Sequence, residues 1–202
     1  MRFLTILAVL AGPAVADPVA DIMAAAEASF DHMPDVRRVH EIAGRCGADA
    51  EVNSRVVYCT SQNTIFLHRD SAPDLLTAYA LAHVYGHAVQ VQHGIADVAL
   101  QAIRSSPSNE RALRGDVTRQ VECIAGFLWA LAALPPTELS ELTATEPFTG
   151  AHWGRNPLRI GPRVQIGLKA RARWFRIGQT IDLNACAPGA FSSDLLVRAF
   201  VR

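Results

Sequence analysis

The chain has 202 residues, half of them hydrophobic, with 19 basic and 19 acidic side chains. That is enough apolar material for one well-buried domain, and the absence of any long charged or low-complexity tract argues against a disordered chain. No segment after the N-terminus reaches the roughly 20 consecutive apolar residues of a membrane span, so the mature chain is expected to have none.

The first 16 residues read as a secretory signal. Arg2 supplies a positive n-region, Phe3 to Ala11 a short apolar core, and Ala14-Val15-Ala16 a small-residue cleavage site. The expected organisation is therefore a signal peptide at residues 1–16 and a single domain at 17–202, periplasmic or secreted. Cleavage would leave 18 basic against 19 acidic residues, a net charge of −1 that excludes no partner by itself. Export makes nucleic acid an unsuitable partner. Four cysteines remain, Cys46, Cys59, Cys123 and Cys186. An even count in an oxidising compartment suggests two disulfides, with three connectivities open. Pairing Cys46 with Cys59 would close a short loop, and Cys123 with Cys186 a long one.

Residues 17–33 read as an Ala-rich helix ending before Pro34. Residues 54–68 look extended. Val56-Val57-Tyr58 and Thr64 to Leu67 are β-prone runs on either side of a Ser61-Gln62-Asn63 turn, which makes a hairpin. A second helix begins near Ser71-Ala72-Pro73-Asp74 and runs to about Gly94. Leu76, Tyr79, Ala80, His83, His87 and Gln90 share one of its stripes. A connection follows, rich in Ser and Asn around Ser105 to Asn109. A long helix follows from about Glu110 to Leu134, apolar and buried from Cys123 onward, and stops at Pro135-Pro136. Another helix is expected from Arg163 to Ile177, and a short one over Ser193 to Val201. Between Glu146 and Asp182 lie seven basic residues and no acid: Arg155, Arg159, Arg163, Lys169, Arg171, Arg173 and Arg176. They read as a solvated helix face, with a docking surface for an anionic partner such as membrane headgroups or wall polymer as the sharper alternative.

The chemistry-bearing stretch is His83-Val84-Tyr85-Gly86-His87. Imidazoles at i and i+4 lie one above the other on a helix face and can reach a single metal ion. This is the spacing of the zinc peptidase motif H-E-x-x-H, whose glutamate takes a proton from zinc-bound water. Here that position is Val84, which cannot accept a proton. His32, His40, His68 and His152 stand isolated and read as surface or satisfied core residues.

The flanking sequence resembles the neutral zinc metallopeptidase family, a group of bacterial zincin-like proteins. Cys46-Gly47, Tyr58-Cys59 and Thr64-Ile65-Phe66-Leu67 match its early pieces. Ala82-His83-Val84-Tyr85-Gly86-His87-Ala88-Val89-Gln90 resembles its metal helix, A-H-E-x-G-H-H-V-Q. Thr118-Arg119-Gln120-Val121-Glu122-Cys123-Ile124-Ala125-Gly126 resembles E-L-Q-A-D-C-x-A-G, with Trp129 one residue late. Arg173-Trp174-Phe175, Gly178 and Cys186 match its C-terminal part. The resemblance covers residues 46 to about 190. It implies an α+β, mostly helical zincin-like domain with a small hairpin beside the His83/His87 helix, and it supports the pairings Cys46–Cys59 and Cys123–Cys186.

The departures fall on the chemistry. The general-base glutamate is Val84, the residue resembling the third zinc ligand is Thr118, the aspartate is Glu122, and a His-Gly pair is replaced by Gln165-Ile166-Gly167. Zinc held by His83 and His87 alone would be weakly bound or absent. Glu122 is the candidate third ligand, against a supporting role orienting a histidine. His93 is a weaker candidate, since six residues of unbroken helix turn it about 600° from His87. Tyr85 or Glu122 are the alternative bases. The resemblance thus implies an inactive pseudopeptidase that binds a peptide, protein or cell-wall ligand. The alternative is an active zinc peptidase using His83, His87 and a recruited Glu122. A structural protein without a ligand is the third reading.

Overall fold

Asp17 opens the first helix. Its carboxylate accepts from the Val19 and Ala20 amides, and Pro18 sits in the first turn, where a missing N–H costs nothing. The computed structural model describes residues 17–47, 55–148 and 164–201. The expected leader, His152, Arg155, Arg159 and Arg163 lie outside these residues. Helix α1 (Pro18–Ser29) ends where Phe30 turns extended, short of the expected boundary at residue 33.

A strand follows that the sequence reading missed. β1 (Asp35–Val39) carries exposed Asp35, Arg37 and Arg38, so no apolar alternation marks it. It pairs in parallel with β3 (Thr64–His68), from Asp35 opposite Thr64 to Val39 opposite His68. β2 (Val56–Cys59) and β3 form the expected antiparallel hairpin, with Val56 opposite Leu67 and Cys59 opposite Thr64. Asn63 takes the left-handed conformation in the turn, which asparagine tolerates well. The hairpin thus belongs to a three-stranded sheet, ordered β1-β3-β2. The pleat divides its side chains by period 2. Val56, Tyr58, Ile65 and Leu67 join the main core. Val57, Cys59 and Phe66 form a second cluster with Ile42 on the other face. The Cys46–Cys59 disulfide closes that second face.

Helix α2 (Leu75–Gln92) is capped by Asp74, whose carboxylate accepts from the Thr77 amide at 2.8 Å. Pro73 therefore lies just outside the helix. Thr77 through Gln90 are buried without interruption. The expected single inward stripe is thus replaced by a helix surrounded on all sides, with α1, β2, α3 and α4 (introduced below) packed against it. Gly94, at φ 76°, ends it as expected. The segment expected to be a connection then forms α3 (Ile95–Ser105). Ile95, Ala99 and Ile103 recur every four residues and are buried, the last two with Leu113 and Phe191.

Helix α4 (Glu110–Leu131) runs across α2, and Trp129 Nε1 donates to the Pro135 carbonyl at 2.8 Å just beyond its end. After a short helix α5 (Leu139–Leu142) comes α6 (Leu168–Gly178), which begins later than expected, and α7 (Asp194–Ala199) closes the chain. The described residues are therefore α+β and mostly helical.

Glycines let the three central helices approach closely. A Cβ on Gly86 of α2 would lie 2.9 Å from the Val121 carbonyl of α4. At the α4–α6 crossing, a Cβ on Gly126 would fall 1.9 Å from the Phe175 carbonyl, and one on Gly178 1.9 Å from the Cys123 carbonyl. The Cys123–Cys186 disulfide fastens the same region. Both pairings are those the resemblance supports.

Candidate functional site

His83 and His87 lie one turn apart on α2, with ring centroids 5.1 Å apart and planes at 81°. Val84 between them is fully buried in the apolar core. Facing His83 is Glu122 of α4, also fully buried. Its Oε1 lies 3.1 Å from His83 Nδ1. Its Oε2 accepts from Tyr79 Oη at 3.0 Å. Helix packing thus brings Glu122 of α4 against His83 of α2.

Arg171 of α6 completes the cluster. Its Nη1 donates to Glu122 Oε1, and its Nε donates to Glu146 Oε1 at 2.9 Å. Glu146 in turn accepts from the Ile166 and Gly167 amides at 3.0 Å each. The Gln165-Ile166-Gly167 segment, where the family resemblance places a His-Gly pair, thus acts here as a backbone clamp on a carboxylate. Phe148 lies flat on the His83 ring, with centroids 4.0 Å apart and planes at 14°, and the Arg171 guanidinium carbon stands 5.8 Å from the Phe148 centroid.

The electrostatics follow from burial. Desolvation, helped by the Arg171 charge, holds His83 well below its ordinary range, so its imidazole is neutral. Burial and the neighbouring Glu122 push Tyr79 well above its usual range, which keeps its proton available for donation to the carboxylate. Burial opposes the charge on Arg171, but Glu122, Tyr79 and Glu146 outweigh it and raise its pKa. A carboxylate buried with a guanidinium and two further polar neighbours is a charge-balanced group rather than a vacant ligand.

The remaining candidates separate from this cluster. Thr118 Oγ1 donates back to the Arg114 carbonyl of its own helix at 3.1 Å. His93 caps the C-terminal end of α2, about 9 Å along the axis beyond His87, and packs near Phe30. The structure thus places it outside the histidine pair's site. Tyr85 points to another side of α2. Burial is the main cause that raises its pKa, with Glu27 and Asp35 adding to it, which favours the protonated hydroxyl. Its hydroxyl has no hydrogen-bond partner among the described residues. Tyr85→Phe is therefore expected to leave stability unchanged or raise it by about 1 kcal/mol. Urea unfolding checks this, and a clear loss would reveal a partner for the hydroxyl.

The basic stretch resolves into two faces. Lys169, Arg173 and Arg176 are exposed at i, i+4 and i+7, while Arg171, Phe175 and Gly178 are buried at the same spacing. Arg176 also pairs with Glu138. Arg171 therefore leaves the solvated face to which its charge assigned it. Its spacing to Phe175 and Gly178 was the available signal. Tyr79 was already on the predicted inward stripe, whereas Glu146 and Phe148 sit in an irregular segment with no periodicity to mark them.

A zinc ion fits these residues poorly. Structural and catalytic sites supply at least three deprotonated or neutral donors converging on the metal. Here Glu122 already carries a guanidinium and a tyrosine hydroxyl, and Thr118 is turned into its own helix. Among the described residues no group of three or more His, Cys, Asp or Glu side chains is arranged to hold a metal ion.

Comparisons with protein-family models, with curated proteins and with solved structures return no match to this chain.

Proposed function

We propose that this chain is an exported, zincin-like pseudopeptidase that binds a peptide, protein or cell-wall ligand without hydrolysing it. The observation that carries the reading is the state of Glu122. It is the carboxylate that faces His83 and could substitute for the missing ligand or base, and it is engaged by Arg171 and Tyr79. Val84 has no acid–base chemistry to offer, and general-base catalysis alone is worth roughly 10²–10⁴ in rate. The zincin-like assignment is supported by the placement of the hairpin beside the histidine helix, with the Glu122 helix across it. Export is supported by the two disulfides, which persist in oxidising compartments.

Metal analysis and proteolysis test the reading together. Protein purified without added zinc is expected to carry well under one zinc per chain and to leave casein intact. Val84→Glu alone is expected to remain inactive, because it restores the base but not a third ligand. Stoichiometric zinc in the wild type, lost on His83→Ala, would refute the reading. So would casein cleavage by either protein, which would favour the hydrolase with a recruited Glu122.

A further inference from the structure

Arg171 is a full charge with 1% of its side chain exposed, and it meets carboxylates from two distant parts of the chain. Glu122 comes from the middle of α4, and Glu146 from the segment that follows α5. Glu146 is itself fixed by two backbone amides at the start of α6. Two residues on, Phe148 adopts a left-handed backbone at φ 59° while its ring covers His83. That conformation is uncommon for a bulky side chain and persists only where the surroundings enforce it. Here the enforcement on the described side is the Glu146 clamp and the guanidinium next to the Phe148 ring.

We infer that Arg171 is the resident cation of this site: its guanidinium supplies the positive charge shared by fully buried Glu122 and partly exposed Glu146, makes the cluster independent of metal, and pins the Glu146–Phe148 segment over His83. A guanidinium and a divalent ion cannot both occupy Glu122 Oε1. Removing Arg171 therefore leaves a buried carboxylate beside His83 that favours a bound cation. The inference rests on the proposed reading only in treating this cluster as a converted metal site. A binding protein that hydrolyses nothing does not by itself require it.

Thermal unfolding of the mature chain, in EDTA and then in added zinc sulfate, tests the inference. The wild type is expected to melt at the same temperature in both. Arg171→Met is expected to melt roughly 10 °C lower, because one partner of a buried pair is left uncompensated. Added zinc should raise the melting temperature of Arg171→Met, by mass action on the freed carboxylate. The double variant Arg171→Met, Glu122→Met removes the fully buried pair and leaves Glu146, which is 15% exposed, to its two backbone amides. It should regain most of the loss without a response to zinc.

If Arg171→Met does not fold, the double variant decides: a folded double variant supports the charge-balance role and an unfolded one overturns it. The inference also fails if the wild type is destabilised by EDTA and restored by zinc. It fails equally if Arg171→Met is as stable as the wild type, or folds without responding to zinc. The two ideas fail separately. Casein cleavage by the wild type overturns the pseudopeptidase, whereas EDTA sensitivity in a protein inert toward casein overturns only the resident cation.

Discussion

Glu122→Ala is expected to destabilise the fold by about 3–5 kcal/mol, the usual effect of removing one partner from a buried ion pair. The loss has identifiable parts. Arg171 loses its bond to fully buried Glu122 and keeps only Glu146, which is 15% exposed, so a buried guanidinium is left with fewer acceptors. Tyr79 is fully buried, and its hydroxyl loses the acceptor at 3.0 Å. A cavity the size of the carboxylate stem adds to both effects. Glu122→Gln should cost less, because an amide oxygen still accepts from Tyr79 and Arg171 while only the charge is lost. The order wild type, Gln, Ala in urea midpoint is therefore the expected result. An alanine variant within about 1 kcal/mol of the wild type would show that the cluster contributes little. Near-UV circular dichroism reads the same event locally, since Tyr79, Phe148 and Phe175 surround the site.

Gly178→Ala is the second large effect, with an expected loss of about 3 kcal/mol or more. Alanine is the better helix former by roughly 1 kcal/mol, so propensity alone predicts stabilisation. Packing reverses the sign. The added Cβ would sit 1.9 Å from the Cys123 carbonyl and 2.6 Å from the Phe127 amide. Both are backbone atoms, so no side chain can swing away, and α6 must move off α4. That displacement would strain the neighbouring Cys123–Cys186 bridge and shift Arg171, two turns earlier on α6. Gly126→Ala strikes the same crossing from the other helix, with its Cβ 1.9 Å from the Phe175 carbonyl. Once the helices have separated, the second methyl costs little, so the double variant should lose clearly less than the two singles combined. Full additivity would argue against a shared crossing. At this chain length each single variant should melt roughly 6–12 °C below the wild type.

Much of the architecture was legible because its causes are local. The β2–β3 hairpin is written in two β-prone runs around a turn, and α2 in an Asp74 cap and a Gly94 stop. The apolar half of α4 announced its burial. β1 escaped because exposed Asp35, Arg37 and Arg38 obscure its alternation, and its partner β3 lies well downstream. α3 escaped because the Ser/Asn-rich stretch at its end looked like a connection, although Ile95, Ala99 and Ile103 carried the helical period.

At the site, the residue types alone determined that this chain pairs two histidines at helical spacing, lacks a base at Val84 and offers Glu122 as the remaining carboxylate. Those are properties of a single helix turn and of side-chain chemistry, and no partner is needed to state them. Only the tertiary structure decided what Glu122 does. Its partner Arg171 lies 49 residues away, in a stretch whose charge reads as solvated. Burying a guanidinium is prohibitive until an acid is brought to it, and the acids come from α4 and from Glu146. That compensation arises from helix packing through Gly126 and Gly178, which no window of sequence contains.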